Sequence, residues 1–426
     1  MTDTPDIFDP RQYAAGPPYA AYRELRDRLP VAWQDEPAVL GRPAGPGFWA
    51  VTRHADVVRV LKDAAGFSSA LGTTQIRDPD PADLPFIRRM MLNQDPRAAA
   101  RSDGGGPVAH GFHDHGRLRR LVSRAFTPSR VERFEGLVRD RARALLTAAR
   151  DGAEDGVFDL VADVTDDYAL LNLTDLLGVP PGDRGLLLEW TERVIAHQDP
   201  DGPTVTGPDG RPADPRSPAM LAEMFAYAQD LTAHKRKHPG DDVMTALAHG
   251  ELADAELEMF FFLLTVAGND TVRSAAPGGF LALAEHPVQQ AELTGNQVTV
   301  GAAVDELLRW HPPVLSFRRT AVRDIVLAGR RIAAGDKVVV FHASANRDER
   351  AFGDPERLDL TRTPNPHVSF GDGPHICLGA HFARLQLTAL HEEALRVLPR
   401  TELAAEPRRL VSNFINGIKS LPLKAS

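Results

Sequence analysis

Apolar residues recur every three or four positions through most of the chain, which is the spacing of helices that each bury one face. Segments with this helical period are 19–26, 53–61, 131–149, 162–177, 183–198 and 220–234. Short apolar runs predict strands at 47–52, 317–321, 324–327 and 337–341, and the segment 67–69 is predicted to be a loop. The pattern therefore predicts a mainly α protein with a small β region.

The helix that begins at Asp254 is apolar on nearly all sides as far as Thr271, so we expect it at the centre of the fold. Its longest apolar run, 259–268, is about half of the ~20 residues that a membrane span needs. The adjacent acid and alcohol, Asp270 and Thr271, are costly to bury unless they are used. The Thr271 hydroxyl can bond a carbonyl of the preceding turn. Gly268 weakens the helix by about 1 kcal/mol and would leave room for a flat ligand. The alternative is that the helix emerges into solvent here, with Asp270 exposed.

Composition limits the class of protein. The 426 residues suit one large domain or two to three ordinary ones, and the net charge of −9 argues against broad affinity for nucleic acid. The single cysteine excludes internal disulfides and favours a reducing compartment, which predicts the cytoplasm. The N-terminus has no basic region followed by an apolar run, so we expect neither a signal peptide nor a membrane anchor.

That cysteine, Cys377, lies in a glycine-rich loop, 370–379, just before a predicted helix. The glycines let the backbone turn tightly and approach a flat partner. A thiolate at a helix N-terminus is favoured by the exposed N–H groups there. The loop is suited to hold a negatively charged sulfur against a metal. A lone cysteine is more often a small buried apolar residue, so this reading depends on further motifs.

Two other helices carry pairs of charged residues. His115 and Arg119 are four residues apart and share a helix face, which suits a carboxylate or phosphate partner. A solvated basic face is the commoner interpretation of an Arg-rich helix. Glu306 and Arg309 are three apart and can pair, but such pairs are abundant in proteins.

Taken together, these motifs resemble those of the cytochrome P450 family. The spacing Phe-x-x-Gly-x-His-x-Cys-x-Gly over 370–379 resembles that family's haem-ligand loop. Ala-Gly-x-Asp-Thr over 267–271 resembles its oxygen-activation signature, and Glu306-x-x-Arg309 resembles its structural pair. The motifs also follow the family's order along the chain.

The resemblance implies a single domain, residues 1–426, folded as a triangular helical prism with a long central helix over haem b, iron protoporphyrin IX. Cys377 would be the iron ligand. The residues expected to contact the haem are His115, Arg119, Ala267, Gly268, Arg319, Phe370, Gly371, His375, Cys377 and Gly379. Thr271 would order water beside dioxygen and Asp270 would feed protons to it. Glu306, Arg309 and Arg357 would form a structural network.

The implied activity is monooxygenation, most simply hydroxylation, of a hydrophobic small molecule such as a terpenoid, steroid, lipid or secondary-metabolite intermediate. Dioxygen would be the co-substrate, and electrons would come from a separate ferredoxin and ferredoxin reductase. We expect a monomer that binds neither nucleic acid nor membrane. Oxidative coupling within the substrate, peroxide-driven oxygenation and a non-catalytic haem sensor are the alternatives, and the Asp270–Thr271 pair argues against the last two.

Apolar residues that would face the substrate, by the same resemblance, are Val266, Val314, Leu315, Phe414 and Ile415. Two stretches, 97–114 and 199–215, look like insertions relative to the family. Both are rich in Gly, Pro and Asp, so they have little apolar surface to bury. We expect them to act as a lid that a ligand orders, against the alternative of passive surface loops.

Overall fold

A computed structural model gives the fold, and it describes residues 4–72, 74–83, 86, 115–203, 206 and 213–425. The α-helices within these ranges are α1 (Tyr19–Arg28), α2 (His54–Lys62), α3 (His115–Ser123), α4 (Pro128–Glu132), α5 (Glu135–Gly152), α6 (Asp166–Leu177), α7 (Arg184–Ile195), α8 (Pro218–Lys237), α9 (Val243–Ala248), α10 (Asp254–Glu285), α11 (Pro287–Thr294), α12 (Val300–Trp310), α13 (His342–Ala345) and α14 (Ala380–Val397). The strands are β1 (Val31–Gln34), β2 (Phe48–Val51), β3 (Phe67–Ser68), β4 (Val157–Asp159), β5 (Ser316–Ala321), β6 (Ile325–Leu327), β7 (Arg330–Ile332), β8 (Lys337–Phe341), β9 (Thr401–Leu403), β10 (Arg408–Arg409), β11 (Ile418–Ser420) and β12 (Pro422–Ala425). The predicted mainly α fold with a small β region is confirmed.

The largest sheet has the strand order β1-β2-β8-β5-β3. Its edge strand β3 corrects the prediction of a loop at 67–69, because Phe67 pairs with Ala321 and Ser68 with Thr320. Both β3 residues are buried. A two-residue strand gives no local periodicity, and its partner lies more than half the chain away. The pairing brings Ser69 towards the part of β5 that carries Arg319.

The central position predicted for α10 is confirmed, since it packs against α6, α7, α8, α12 and α14. Pro277 lies inside this helix, and Gly278 and Gly279 follow it. A Cβ on Gly278 would lie 2.1 Å from a ring carbon of His311, at the end of α12. Glycine therefore allows the close approach of α10 and the segment after α12. Among the described residues, none of the helices has the length and apolar character that crossing a membrane requires.

The assignment of 1–426 to one domain stays a prediction, although one apolar core cluster runs from Leu118 to Leu423. The insertion predicted at 97–114 lies outside the described residues. The second insertion is described only in part. Its first residues, from Asp199, are hydrogen-bonded to the rest of the fold.

A buried ionic network lies beneath the cysteine loop. Glu306 is 1% exposed, and its carboxylate accepts two hydrogen bonds from Arg309, at 2.7 and 2.8 Å. Arg309 also donates to the carbonyl of Asn346, whose side chain holds Val368 N and Ser369 Oγ at the start of the loop. The network therefore fixes the position from which the loop departs.

The third arginine of this network is Arg362 and not Arg357, which corrects the sequence prediction. Arg362 Nε lies 3.2 Å from both carboxylate oxygens of Glu306. The Arg357 side chain is 64% exposed, and its guanidinium is 4.0 Å from Asp359. Only its carbonyl joins the network, as an acceptor from Arg309 at 3.2 Å. The turn at 354–357 directs the Arg357 side chain outwards, and the chain returns to Glu306 five residues later.

Exchanging Arg362 for alanine should lower the free energy of unfolding by about 3 kcal/mol, because breaking a buried ion pair leaves a carboxylate short of its partner. Arg357→Ala, the matched control, should change it by less than about 0.5 kcal/mol. Urea unfolding followed by far-ultraviolet circular dichroism measures both. Equal losses of unfolding free energy in the two variants would contradict the conclusion that Arg362, and not Arg357, is the third arginine of the network.

Candidate active site

The cysteine loop combines tight turns with a close approach to α2. Gly371 and Gly373 have φ of +72° and +70°, a region that glycine adopts without strain. A Cβ on Gly373 would lie 2.7 Å from the carbonyl oxygen of Leu61 in α2. Cys377 N donates to Phe370 O at 2.8 Å, which closes the loop, and Cys377 itself is exposed. The sulfur is thus presented just before the first turn of α14.

Neighbouring groups act on the Cys377 thiol in opposite directions. Desolvation has the largest effect and leaves the pKa of the thiol raised, although the backbone amide of Gly379 and the charges of Arg119 and Arg384 lower it. Hydrogen bonds and positive charges favour a thiolate, and a coordinated metal ion would complete the deprotonation. These contacts suit a thiolate ligand for a metal.

The cationic residues predicted to bind a carboxylate-bearing cofactor meet on one side of this loop. The rings of His115 and His375 are 4.2 Å apart between centroids, and Ser69 Oγ lies 3.2 Å from His375 Nε2. The charges of His115, Arg319 and Arg119 all act on His375. Desolvation is the main reason that the pKa of His375 falls to about 3, and these positive charges lower it further. Arg119 and Arg319 therefore supply positive charge to the cluster, and His375 with this low pKa is a neutral partner beside them.

Two arginines of this cluster have no carboxylate partner among the described residues. Arg319 is 6% exposed, and its hydrogen bond runs to the carbonyl of Arg318 at 2.8 Å. Burial lowers the pKa of Arg319 to about 10 and also lowers the pKa of Arg119. A buried guanidinium is expensive without an anionic partner. Two carboxylates, such as the propionates of a haem, would match this donor set, so the residues present fit that group.

Two neighbouring small residues of α10, Ala267 and Gly268, face different surroundings. Ala267 is exposed although most of this helix is buried, so it offers a small surface towards an open side. Gly268 does not leave room for a flat ligand in the predicted way. A Cβ on Gly268 would lie 2.7 Å from Leu173 Cδ1 of α6. A side chain at position 268 would therefore press on Leu173, and Ala267 is the residue that leaves space.

Asp270 of the acid and alcohol pair is buried, whereas Thr271 beside it is half-buried. Thr271 Oγ1 donates to Ala267 O at 2.7 Å, the bond to the preceding turn that the sequence allowed. Asp270 is 4% exposed, and its Oδ2 has no hydrogen-bond partner in the described part of the chain. Desolvation raises the pKa of Asp270 to about 7, opposed by Arg273 and assisted by Glu192 and Asp166. A carboxyl group with this pKa can both release and take up a proton near neutral pH.

Two of the charged residues around Asp270, namely Asp166 and Glu192, were missed by the sequence analysis, and the alternative in which Asp270 and Arg273 are exposed to solvent does not match their contacts. Arg273 Nε lies 2.6 Å from Asp166 Oδ1, and Arg273 Nη1 lies 3.4 Å from Glu192 Oε1. Arg273, three residues after Asp270 on α10, was visible as a possible helix neighbour. Asp166 on α6 and Glu192 on α7 reach the site only through tertiary packing, so no local signal marks them.

The predicted substrate residues are only partly brought together. Val314 and Ile415 form an isolated β-bridge, and Leu315 N donates to Phe414 O at 2.8 Å. Val266 and Phe414 are half-buried against the main core cluster. The prediction that Leu315 faces the substrate is corrected. Its side chain is 1% exposed and packs in the separate cluster of the large sheet and the N-terminal segment.

Phe317 on β5 was missed. Its ring is half-buried and lies 5.8 Å from that of Phe414. Strand alternation places Phe317 on the same face of β5 as Arg319, which was the available signal.

A cysteine thiolate site next to a cationic cluster, with a buried acid and an adjacent alcohol on the central helix, defines an oxygen-using enzyme of the haem-thiolate class. The comparisons with known proteins agree. Residues 226–398 match the family model for cytochrome P450. The chain is 37% identical to a methyl-branched lipid omega-hydroxylase of Mycobacterium tuberculosis over 95% of its own length and 90% of the relative. It is 36% identical to a steroid C26-monooxygenase of the same organism over 97% and 91% of the two chains.

Solved structures give the same result. A Mycobacterium marinum cytochrome P450 in complex with pseudoionone matches with a TM-score of 0.80 and 37% identity over 100% of both chains. The chain belongs to the cytochrome P450 family. It is a haem b monooxygenase of hydrophobic molecules that uses dioxygen and redox partners.

Proposed function

We propose that this chain hydroxylates an extended hydrophobic molecule, namely a methyl-branched lipid, the side chain of a steroid or a terpenoid. The observation that carries the proposal is the apolar group formed by Val314, Phe317, Phe414 and Ile415, with Val266 on α10. Such a wall binds hydrocarbon and offers few polar groups to orient it. The names of the relatives, which specify an omega carbon and a C26 carbon, support the same chemistry.

The residue roles follow from the site. Cys377 would hold the haem iron, and His115, Arg119, Arg319 and His375 would take its two propionates. When bound, the haem supplies the activation of dioxygen. Asp270 holds a proton at its Oδ2 and passes it inwards, and Thr271 presents its hydroxyl at the same turn. This acid–alcohol pair favours the dioxygen route over a peroxide-driven one.

The experiment is a spectral titration of the haem-loaded enzyme with a methyl-branched fatty acid, a steroid and pseudoionone, with indole and a short peptide as controls. Products formed with dioxygen and redox partners are then identified by mass spectrometry. We expect micromolar spectral shifts and a product heavier by one oxygen atom for at least one of the three hydrocarbon-rich probes. Binding of indole or peptide alone, or a coupled product without added oxygen, would overturn the proposal.

We further propose that the enzyme acts as a single-domain monomer in the cytoplasm and receives electrons from a ferredoxin and its reductase. The single cysteine, which must stay a free thiolate, supports a reducing compartment. The exposed side of α3 supports an acidic partner. Arg120 and Arg124 are exposed there, whereas Arg117 is already paired with the buried Glu256 of α10.

Reversing the charge at Arg124 to glutamate should slow electron transfer from ferredoxin by about tenfold at low salt, because steering by opposite charges raises association rates. The difference should shrink as salt screens the surface. Stopped-flow reduction at several ionic strengths measures the rate. Arg331→Glu, at an exposed arginine of the β6–β7 hairpin, is the matched control. Equal slowing in both variants, or no slowing in Arg124→Glu, would count against docking on α3.

A further inference from the structure

The segment that follows α7 is hydrogen-bonded to the C-terminal hairpin, in which β10 and β11 flank the tip residues Phe414 and Ile415. The side chain of Gln198 makes three of these bonds. Its Oε1 accepts from Ser412 Oγ at 3.0 Å and from Asn413 N at 3.1 Å. Its Nε2 donates to Asn413 Oδ1 at 3.1 Å. One amide side chain therefore fixes two consecutive residues of the hairpin.

The contact continues to the residues that face the substrate. Ser412 donates its hydroxyl proton to Gln198, so its oxygen is free to accept from Phe414 N and Ile415 N, both at 3.1 Å. Ser412 is 2% exposed, so water does not compete for these bonds. The backbone of the tip is thus held by a hydroxyl whose orientation Gln198 sets.

Asp199 adds a second attachment on the other side of the hairpin. Its Oδ2 accepts from Val411 N at 2.9 Å, and its Oδ1 accepts from Lys419 Nζ at 2.9 Å. Asp199 is 7% exposed, whereas Asp201, which also pairs with Lys419, is exposed. The charged bond of Asp199 is therefore shielded from solvent, and that of Asp201 is not.

We propose that Gln198 and Asp199 are positioning residues that fix the depth of the hairpin tip beside the substrate and thereby select which carbon is oxidised. This rests on the proposed function. Helix α7 ends at Ile195, three residues before Gln198. A shift of α7 would therefore be transmitted through the bonds of Gln198 to Phe414 and Ile415. A misplacement of about 1 Å is enough to change which carbon reaches the reacting position.

The described start of the predicted loop 199–215 is attached to the hairpin by the same contacts. The lid role of the stretch stays a prediction. Asp199, Asp201 and Gly202 form a turn in which Asp201 N donates to Asp199 Oδ1 at 2.8 Å.

The test compares Gln198→Met, Gln198→Glu, Asp199→Asn and Asp201→Asn in the haem-loaded enzyme. Gln198→Met removes all three bonds with little change in volume. Gln198→Glu keeps the acceptor for Ser412 and Asn413, so it should behave much like the wild-type enzyme in each of the measurements below. Asp201→Asn weakens exposed contacts with Lys419 and Arg408, and it is the matched control.

Hydrogen exchange of the substrate-free enzyme gives the first readout. In Gln198→Met and Asp199→Asn, peptides that cover 410–418 should exchange at least about fivefold faster than in the wild type. In Asp201→Asn their exchange rate should be unchanged. The second readout is the ratio of terminal to internal hydroxylation of a methyl-branched fatty acid, which should change by about threefold or more in Gln198→Met.

A third readout does not depend on the substrate. Clotrimazole, which would fill the space beside the tip, should bind about fivefold more weakly to Gln198→Met, while imidazole, which needs only the iron, binds equally. If none of the three hydrocarbon-rich probes is oxidised, the proposed function fails, and the clotrimazole-to-imidazole ratio still decides the role of Gln198. Faster exchange with unchanged product and azole ratios would show that both residues have only a structural role, and it would overturn the proposal. Unchanged hydrogen exchange in the variants would also overturn it.

Discussion

The Cys377→Ala variant is expected to lose the thiolate-type absorption of the reduced carbon-monoxide complex, and with it all monooxygenase turnover. Cys377 is the only cysteine in the chain, so no other thiolate can take its place. The loop itself should survive, because its shape is fixed by the glycine turns at 371 and 373 and by the bond from the residue-377 amide to Phe370 O.

Absorption spectra of the reduced, carbon-monoxide-treated protein measure this outcome, with circular dichroism to check folding. Cys377→His separates ligand identity from haem retention, because an imidazole can hold the iron without the electron donation of a thiolate. Ile376→Ala, at the exposed neighbour, should keep the wild-type spectrum. A thiolate-type band in Cys377→Ala would show that the assignment of the ligand is wrong.

The second large effect is expected at the acid–alcohol pair. Asp270→Asn keeps the size of the side chain but cannot release a proton, so product formation should fall by about 100-fold or more. Thr271→Ala should still bind haem and substrate but divert electrons to hydrogen peroxide. Electrons consumed, product formed and peroxide released are measured in one assay. Product yield per electron as high as in the wild type would remove the proton-delivery role.

The same residue predicts a pH dependence. Burial raises the pKa of Asp270 to about 7, so the carboxyl group is mostly protonated below that pH and mostly ionised above it. If Asp270 donates the proton, coupled turnover should decline as pH rises through about 7. The decline should be absent from the residual activity of Asp270→Asn. A decline of equal size in the variant would assign the titration to another group.

The parts of the fold that were predictable from sequence are those in which one helix or strand carries its own pattern. The all-round apolar character of α10 indicated a central helix, and the glycine spacing around Cys377 indicated a tight loop. Strand β3 was missed because its two residues are defined by Ala321 and Thr320 across the sheet. The break between α4 and α5 was also missed, since apolar spacing continues through it.

The errors at the site have a shared physical cause. Gly268, Leu315 and Arg357 are in the right segments, but the direction of a side chain depends on what packs beside it. Leu173 takes the space next to Gly268, and the turn before Arg357 turns its side chain outwards. Asp166 and Glu192 reach Arg273 from other helices, so only the tertiary structure reveals them.

The bond from Asn413 Nδ2 to Phe8 O, at 2.5 Å, joins residues that are 405 positions apart. Forming such a contact closes a loop of almost the whole chain, which costs conformational entropy. We therefore expect it to form later in folding than the local contacts within helices. The hairpin residues must therefore leave the ribosome before the substrate side of the site can assemble, although Cys377 and α14 are synthesised earlier. Newly made protein should pass through a stage in which the helical core is formed and the hairpin is still unattached. That stage is when the nascent enzyme is most exposed to proteases and to aggregation.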